Sequence, residues 1–413
     1  MNNLGRRKPE FHFSRYILFI AFLFLYFPFI TIYNNFTLSD LFIVITCITL
    51  TIRLIGDSLL SKFFIYSNHF IIPLLIFTIG FLFSINMSRL PVESFTAFIQ
   101  IVFIFLIAYP VIRIALQEEN NVLTTIHMLI IPGLLLTAGM LLFYFTNTES
   151  NLDVLSLIEI GWGGRLSYGG MEPNIPARIL LQILPLCMII SCRSTVAWKK
   201  ILFTIFIASI ILTVFLTASR SSFLILLFGV FFYSIFYIKM GKRINIYFIL
   251  LYIVIQYSLF QFVNYIDNSF YNKPLERYST ILDPKSSDSS IERLDIIDKG
   301  FEFINKNPLF GLGLENSSLY TGISVHNPLI LTWVENGIFG MIGFGSIYFI
   351  LLFIGLKCYR NNFFNDDLLM AFTVVMVMMV FGDMFMANSY KRILWLPALM
   401  MIVNYDRVKG RVK

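Results

Sequence analysis

Residues 201–238 read ILFTIFIASIILTVFLTASRSSFLILLFGVFFYSIFYI. Arg220 is the one charged side chain among them. Two apolar runs flank the six residues Thr217 to Ser222. A helix needs about 20 mostly apolar residues to cross a bilayer. Lipid offers the backbone no partners, so such runs are helical. The stretch therefore predicts two transmembrane helices joined by a tight turn. Lys199 and Lys200 precede it, and Lys239, Lys242 and Arg243 follow. Lys and Arg collect on the cytoplasmic side of membrane proteins, so the turn carrying Arg220 is expected outside.

The same pattern extends outward from this pair. The chain has 413 residues, 57% hydrophobic and 13% charged, with mean hydropathy +0.78. Soluble domains are about 25% charged. Spans are predicted near 16–33, 38–52, 63–85, 95–115, 123–146, 175–192, 200–217, 222–238, 244–264, 328–356, 367–386 and 391–405. The fold class is thus all-α, a polytopic membrane protein with about 12 transmembrane helices, read as one membrane domain over 1–413. The second and last spans are the shortest. Alternation from a cytoplasmic N-terminus puts Arg6, Arg7, Lys8, Arg15, Arg53, Lys62, Arg113, Arg193, Lys357, Arg360 and the basic tail inside. The basic start leads straight into an apolar run, which reads as an uncleaved first helix. The net charge of +7 is then a topology signal, and nucleic-acid binding is not expected. Cys47, Cys187, Cys192 and Cys358 show no CxxC spacing, and the four histidines are scattered. Neither a disulfide framework nor a metal site is expected, and no cofactor is called for.

The polar residues of interest fall on the outer side. The longest outer segment is 265–327. In it Ile291, Leu294, Ile297, Phe301 and Ile304 recur at helical spacing, predicting an amphipathic helix on the membrane surface or folded over the bundle. Ser289 and Glu292 suit a capping box, and Asn307-Pro308 a stop. Arg293 is expected on the polar side. Gly311 and Gly313 suit tight turns; a nucleotide loop would need a preceding strand. His326-Asn327-Pro328 opens the next apolar run, with Asn327 as cap and Pro328 at the first helical position. The helix N-terminus disfavours imidazolium, so His326 is either a loop hydrogen-bonder or a neutral general base. Arg220 is either a headgroup anchor or an anion site, since guanidinium binds phosphate bidentately. A third outer stretch, 147–175, leads through Glu172 and Asn174 to Arg178. Glu335 either orients a polar residue or packs. Asp383, Lys391 and Arg392 read as interfacial charge.

Taken in order, Gly169-Gly170 through Pro173-Asn174 to Ala177, then Ser219-Arg220, resemble signatures of the bacterial O-antigen ligase and polysaccharide polymerase superfamily. So do Arg293 through Pro308-Leu309-Phe310-Gly311-Leu312-Gly313, and His326-Asn327 through Glu335-Asn336-Gly337. The motifs run from about 165 to 345, and span count and the large outer loop extend the resemblance over the chain. It implies a GT-C-like membrane glycosyltransferase, metal-independent and inverting. Such enzymes take a glycan from undecaprenyl pyrophosphate and join it to an acceptor hydroxyl at the outer face of the cytoplasmic membrane. In ligases the acceptor is lipid A–core; in polymerases it is another lipid-linked repeat unit. The resemblance assigns catalytic roles to His326, Arg220 and Arg293 and substrate binding to Arg277, with Asn174 and Asn327 as binding residues within its motifs; Arg178 is added as a binding residue on its position alone. A flippase for the same lipid is the competing class; unlike halves and polar residues gathered on one face speak against it. A scaffold without chemistry predicts no coordinated Arg and His set.

Overall fold

The computed structural model describes residues 12–27, 31–33, 36–54, 68–116, 118–146, 158–161, 165–168, 172–240, 288–322, 325–361, 363, 366–386 and 392–412. Among them the helices are α1 (His12–Phe24), α2 (Leu38–Leu54), α3 (Asn68–Ser84), α4 (Pro91–Ala115), α5 (Glu119–Thr146), α6 (Asn174–Arg193) and α7 (Ala197–Leu216). There follow α8 (Arg220–Lys239), α9 (Asp288–Lys306), the short α10 (Ser318–Thr321), α11 (Pro328–Arg360), α12 (Asp367–Asp383) and α13 (Arg392–Val412). Seven helices are long and apolar enough to cross a membrane, and α1 and α2 supply shorter apolar ones. The expected span at 244–264 lies outside the described residues. The described residues are otherwise all-α, as expected, with two small antiparallel hairpins in the connections: Thr31–Tyr33 with Phe36–Thr37, and Ile158–Gly161 with Arg165–Tyr168.

Hydropathy alone does not separate inner from outer helices, but burial does. On α3, Phe70, Leu74, Phe77 and Phe81 are buried, whereas Ile72, Leu75, Ile79 and Leu82 form an exposed stripe. Such a stripe is stable facing lipid. In α6 and α12 nearly every residue is buried, as expected of helices apolar all round at a bundle centre. Close approach replaces hydrophobic drive between membrane helices. Gly343 of α11 shows it: a Cβ there would lie 2.5 Å from the Phe77 nitrogen of α3.

Ion pairs gather helix termini at one end. Arg193 donates to Asp367 at 2.9 Å and to Glu119 at 2.9 Å. Arg407 reaches Glu119 at 3.3 Å and Asp366 at 2.7 Å, and Arg113 pairs with Asp406 at 2.7 Å. Lys239 lies 3.4 Å from the Tyr359 ring centroid. The start of α5 and α12 and the ends of α4, α6, α8, α11 and α13 thus share this charged end. The start of α6, α8 and α11 and the end of α12 therefore share the other. That opposite end carries the candidate site.

Candidate functional site

Two turns and the residues that precede α6 and α11 bring the predicted residues to that end. The first joins α7 to α8. Ser219 caps α8, its hydroxyl accepting from the Ser222 amide at 3.3 Å. The turn is so short that Ala218 takes φ +49°, a strained value for a residue with a Cβ. Arg220 is consequently the first residue of α8, half-buried.

The second turn joins α9 to α11, and it is stitched. Gly337 interrupts α11 with φ +66° and ψ −172°, which frees backbone groups inside an apolar helix. The 308–313 turn satisfies them. Leu312 N–H donates to the Val334 carbonyl at 2.9 Å and Gly313 N–H to Glu335 at 2.8 Å, while Ile338 N–H donates to Pro308 at 3.0 Å. Gly311 and Gly313 take positive φ, as the turn reading requires. Glu335 is buried and accepts from the Ser317 amide at 3.1 Å, so its carboxylate orders the loop. Asn336 accepts from Ser84 at 2.8 Å and donates to Phe77 at 3.1 Å, tying α11 to α3. Asn316 accepts from the Arg89 and Leu90 amides at 3.0 Å each, extending the stitch to the α3–α4 turn.

Helix α9 stops at Asn307-Pro308 as expected; the side chains of 288–290 lie outside the described residues. Its packed face takes in part of the predicted apolar set, Ile304 and half-buried Ile297. Ile296, Gly300 and Ile304 are buried, whereas Ile291, Leu294 and Phe301 are exposed. Gly300 faces Ile330, Val325 and Val334, which a Cβ there would meet at an ordinary contact distance of 3.5 Å. Arg293 stands three residues before Ile296 and seven before Gly300, hence on the packed face. This corrects the expectation of the polar side. Arg293 is half-buried and its charge acts on His326.

His326 lies one residue before Asn327, whose side-chain oxygen caps α11 by accepting from Leu329 and Ile330 amides at 3.0 and 3.2 Å. Burial pushes the imidazole below its ordinary value of 6.5, and Arg293 pushes further; Glu172 and Glu292 oppose. Neutral imidazole, the form a general base needs, is therefore favoured. Glu172 precedes α6 and accepts from Asn174 at 2.7 Å, with Asn174 itself buried. The cluster thus unites His326, Arg293, Glu172 and, beside Glu172, Asn174.

Arg178 lies one turn further along α6, buried in an ion pair with Asp383 of α12. Tyr348 of α11 donates to the other Asp383 oxygen at 2.7 Å. Asp383 is accordingly an internal counter-charge, not the interfacial one expected. Arg277 and Lys391 lie outside the described residues, as does the side chain of Arg392. Among the described residues no three His, Cys, Asp or Glu side chains gather as a metal ion would need.

Residues 203–345 match the family model described as O-antigen ligase. That match supports the O-antigen ligase and polysaccharide polymerase superfamily. It contains Arg220, Arg293, His326 and both halves of the stitched turn, but not Glu172. No curated protein matches the chain. The sequence reading missed the roles of Glu172, Asp383 and Tyr348. An acid inside an apolar run, as in FGDMF at 381–385, was the available signal for Asp383.

Proposed function

We propose that this membrane enzyme transfers a glycan from undecaprenyl pyrophosphate to an acceptor hydroxyl at the outer face of the cytoplasmic membrane. The observation that carries the reading is a half-buried histidine kept neutral beside Arg293 within the family-matched segment. Both termini are cytoplasmic in this reading, the charged end faces inward, and the site faces outward, which accords with the positive-inside bias. The twelve spans and the single membrane domain, with its outer segment 265–327, belong to the same proposal.

The chemistry follows from the groups present. The acceptor oxygen attacks the anomeric carbon and the bond to pyrophosphate breaks, carrying its electron pair to the leaving group. The hydroxyl proton passes to His326. Arg220 and Arg293 hold the pyrophosphate charge, with Arg277 as a further binding residue; guanidinium does this without a metal. Attack opposite the leaving group inverts the configuration. Asn174 holds Glu172 near enough for its charge to act on His326, and Asn327, whose oxygen caps α11 and whose Nδ2 donates to the Met384 sulfur at 3.9 Å, binds substrate by giving up that weak sulfur contact. Arg178, committed to Asp383, serves by fixing α6 against α12. The acceptor is lipid A–core in the ligase reading; a lipid-linked repeat unit, as in O-antigen or capsular polymerases, is the alternative.

The test is turnover of lipid-linked donor by purified enzyme. His326→Ala should lose about 10²–10⁴-fold in rate with the lipid-linked donor still bound. Near-wild-type turnover of that variant would remove the base role.

A further inference from the structure

Helix α9 leaves uncovered the face on which its apolar periodicity is strongest. Ile291 is 52%, Leu294 62% and Phe301 42% exposed. Leu294 and Phe301 are seven residues apart, hence within about 20° of each other around the axis. Ile297, half-buried, adjoins them at the edge of the packed face. Further round come Asp295, Asp298 and Glu302, all exposed. The helix therefore has three successive sectors: packed, open apolar around Leu294 and Phe301, and charged, the last holding Asp295, Asp298, Lys299 and Glu302 with Ile291 among them. A helix in water gains nothing from the middle sector. A helix lying in a bilayer interface needs all three when one side also packs on protein.

The chain that follows α9 carries further exposed apolar surface. The chain leaving α9 exposes Leu309 and Phe310. The Phe310 ring meets Phe83 edge-on, with centroids 5.6 Å apart. Phe83 continues the exposed stripe of α3 that faces lipid. Trp333, a residue type favoured at membrane interfaces, donates to the Pro308 carbonyl at 3.0 Å at the same level. The exposed apolar residues just after α9 thus adjoin the exposed stripe of α3.

We infer that α9 is an interfacial helix whose Leu294, Ile297 and Phe301 sink into the acyl boundary of the outer leaflet. The occupant of the open sector is bilayer lipid. The leaflet's identity rests on the proposed orientation; the embedding does not. The packed sector then holds Arg293 at headgroup depth, where a lipid-linked diphosphate must lie. The helix would set the height of the anion-binding group as well as cover the bundle.

The experiment reads depth rather than glycan transfer, so its failure is separate from failure of the functional reading. Single cysteines replace Leu294, Phe301, Asp298 or Glu302 in a chain whose four native cysteines are substituted. Each carries an environment-sensitive fluorophore in proteoliposomes. Labels at 294 and 301 should be quenched by brominated phosphatidylcholine and shielded from aqueous iodide, with the reverse at 298 and 302. Equal iodide quenching at all four positions would overturn the inference. So would labels at 294 and 301 shielded from both quenchers, the sign of a second copy covering the face. Photolabelling of the unmodified chain by a diazirine phospholipid provides the second reading: adducts are expected within 291–301 as well as on α3. Adducts on α3 alone would count against it.

Discussion

Replacing Gly337 by alanine should do damage far beyond one methyl group. A Cβ at Gly337 would lie 2.0 Å from the Leu309 carbonyl oxygen and 2.6 Å from its carbon. No rotamer relieves this, because backbone geometry alone fixes the Cβ. The backbone region itself costs a non-glycine residue about 1–3 kcal/mol. If the 308–313 turn moves away, three interlocking hydrogen bonds open, each contributing about 0.5–1.5 kcal/mol. Together the substitution should cost roughly 3–7 kcal/mol. Gly322→Ala is the control at another positive-φ glycine: φ is +80°, yet nothing among the described residues lies within 4 Å of its Cβ. It should cost only about 1–2 kcal/mol, the left-handed penalty alone. SDS titration of both variants in bicelles measures the difference. If Gly337→Ala proves no more destabilising than Gly322→Ala, the stitched turn is not what holds α11 at its break.

The acid limb of kcat/KM should fall below pH 6.5, activity being lost as pH drops through the lowered imidazole pKa of His326. Arg293→Gln should move that limb to higher pH and Glu172→Gln to lower pH; limbs that stay put in both would uncouple these groups. Asp383→Asn strands the buried Arg178 cation and should cost about 3–5 kcal/mol, read as loss of folded protein in detergent. The Arg178→Met/Asp383→Leu double variant should lose less than the single one, and an equal loss would deny the pair. Glu335→Gln keeps an acceptor for the Ser317 amide and should retain turnover, whereas Glu335→Leu should lose about 1–3 kcal/mol of stability. A strong rate loss in the glutamine variant would instead give Glu335 a chemical role.

The sequence was most legible where a residue type has few physical options. Apolar runs of span length had to be helices, and His326-Asn327-Pro328 had to start one. The paired glycines before α10 had to turn. It was misleading where several faces of one helix were plausible. Periodicity found the apolar residues of α9 but weighted large side chains over Gly300, which lies on the packed face beside Ile296 and Ile304. That face also carries Arg293, expected on the polar side. Ion pairs were illegible for another reason. Arg178 and Asp383 are 205 positions apart, and only the antiparallel alignment of α6 and α12 brings them together. Ser84 and Asn336, separated by 252 positions, escaped in the same way.

The three basic site residues come from two different junctions of the fold. Arg293 and His326 sit on α9 and α11, and the packed Gly300 and the stitched 308–313 turn fix those helices together. Their spacing is therefore built into one unit. Arg220 arrives from elsewhere, on α8, through a turn containing the strained Ala218. A change that tilts α8 should alter the grip on pyrophosphate without moving the base. A change that loosens the stitch should alter the distance between base and anion holder. Ala218→Gly, which relaxes the first junction and leaves the second intact, should therefore change KM for the lipid-linked donor more than kcat. Gly337→Ala, in whatever fraction folds, should lower kcat. Measuring both constants for both variants separates two junctions that a single activity value would merge. Matching losses in KM and kcat for the two would mean that α8, α9 and α11 move as one.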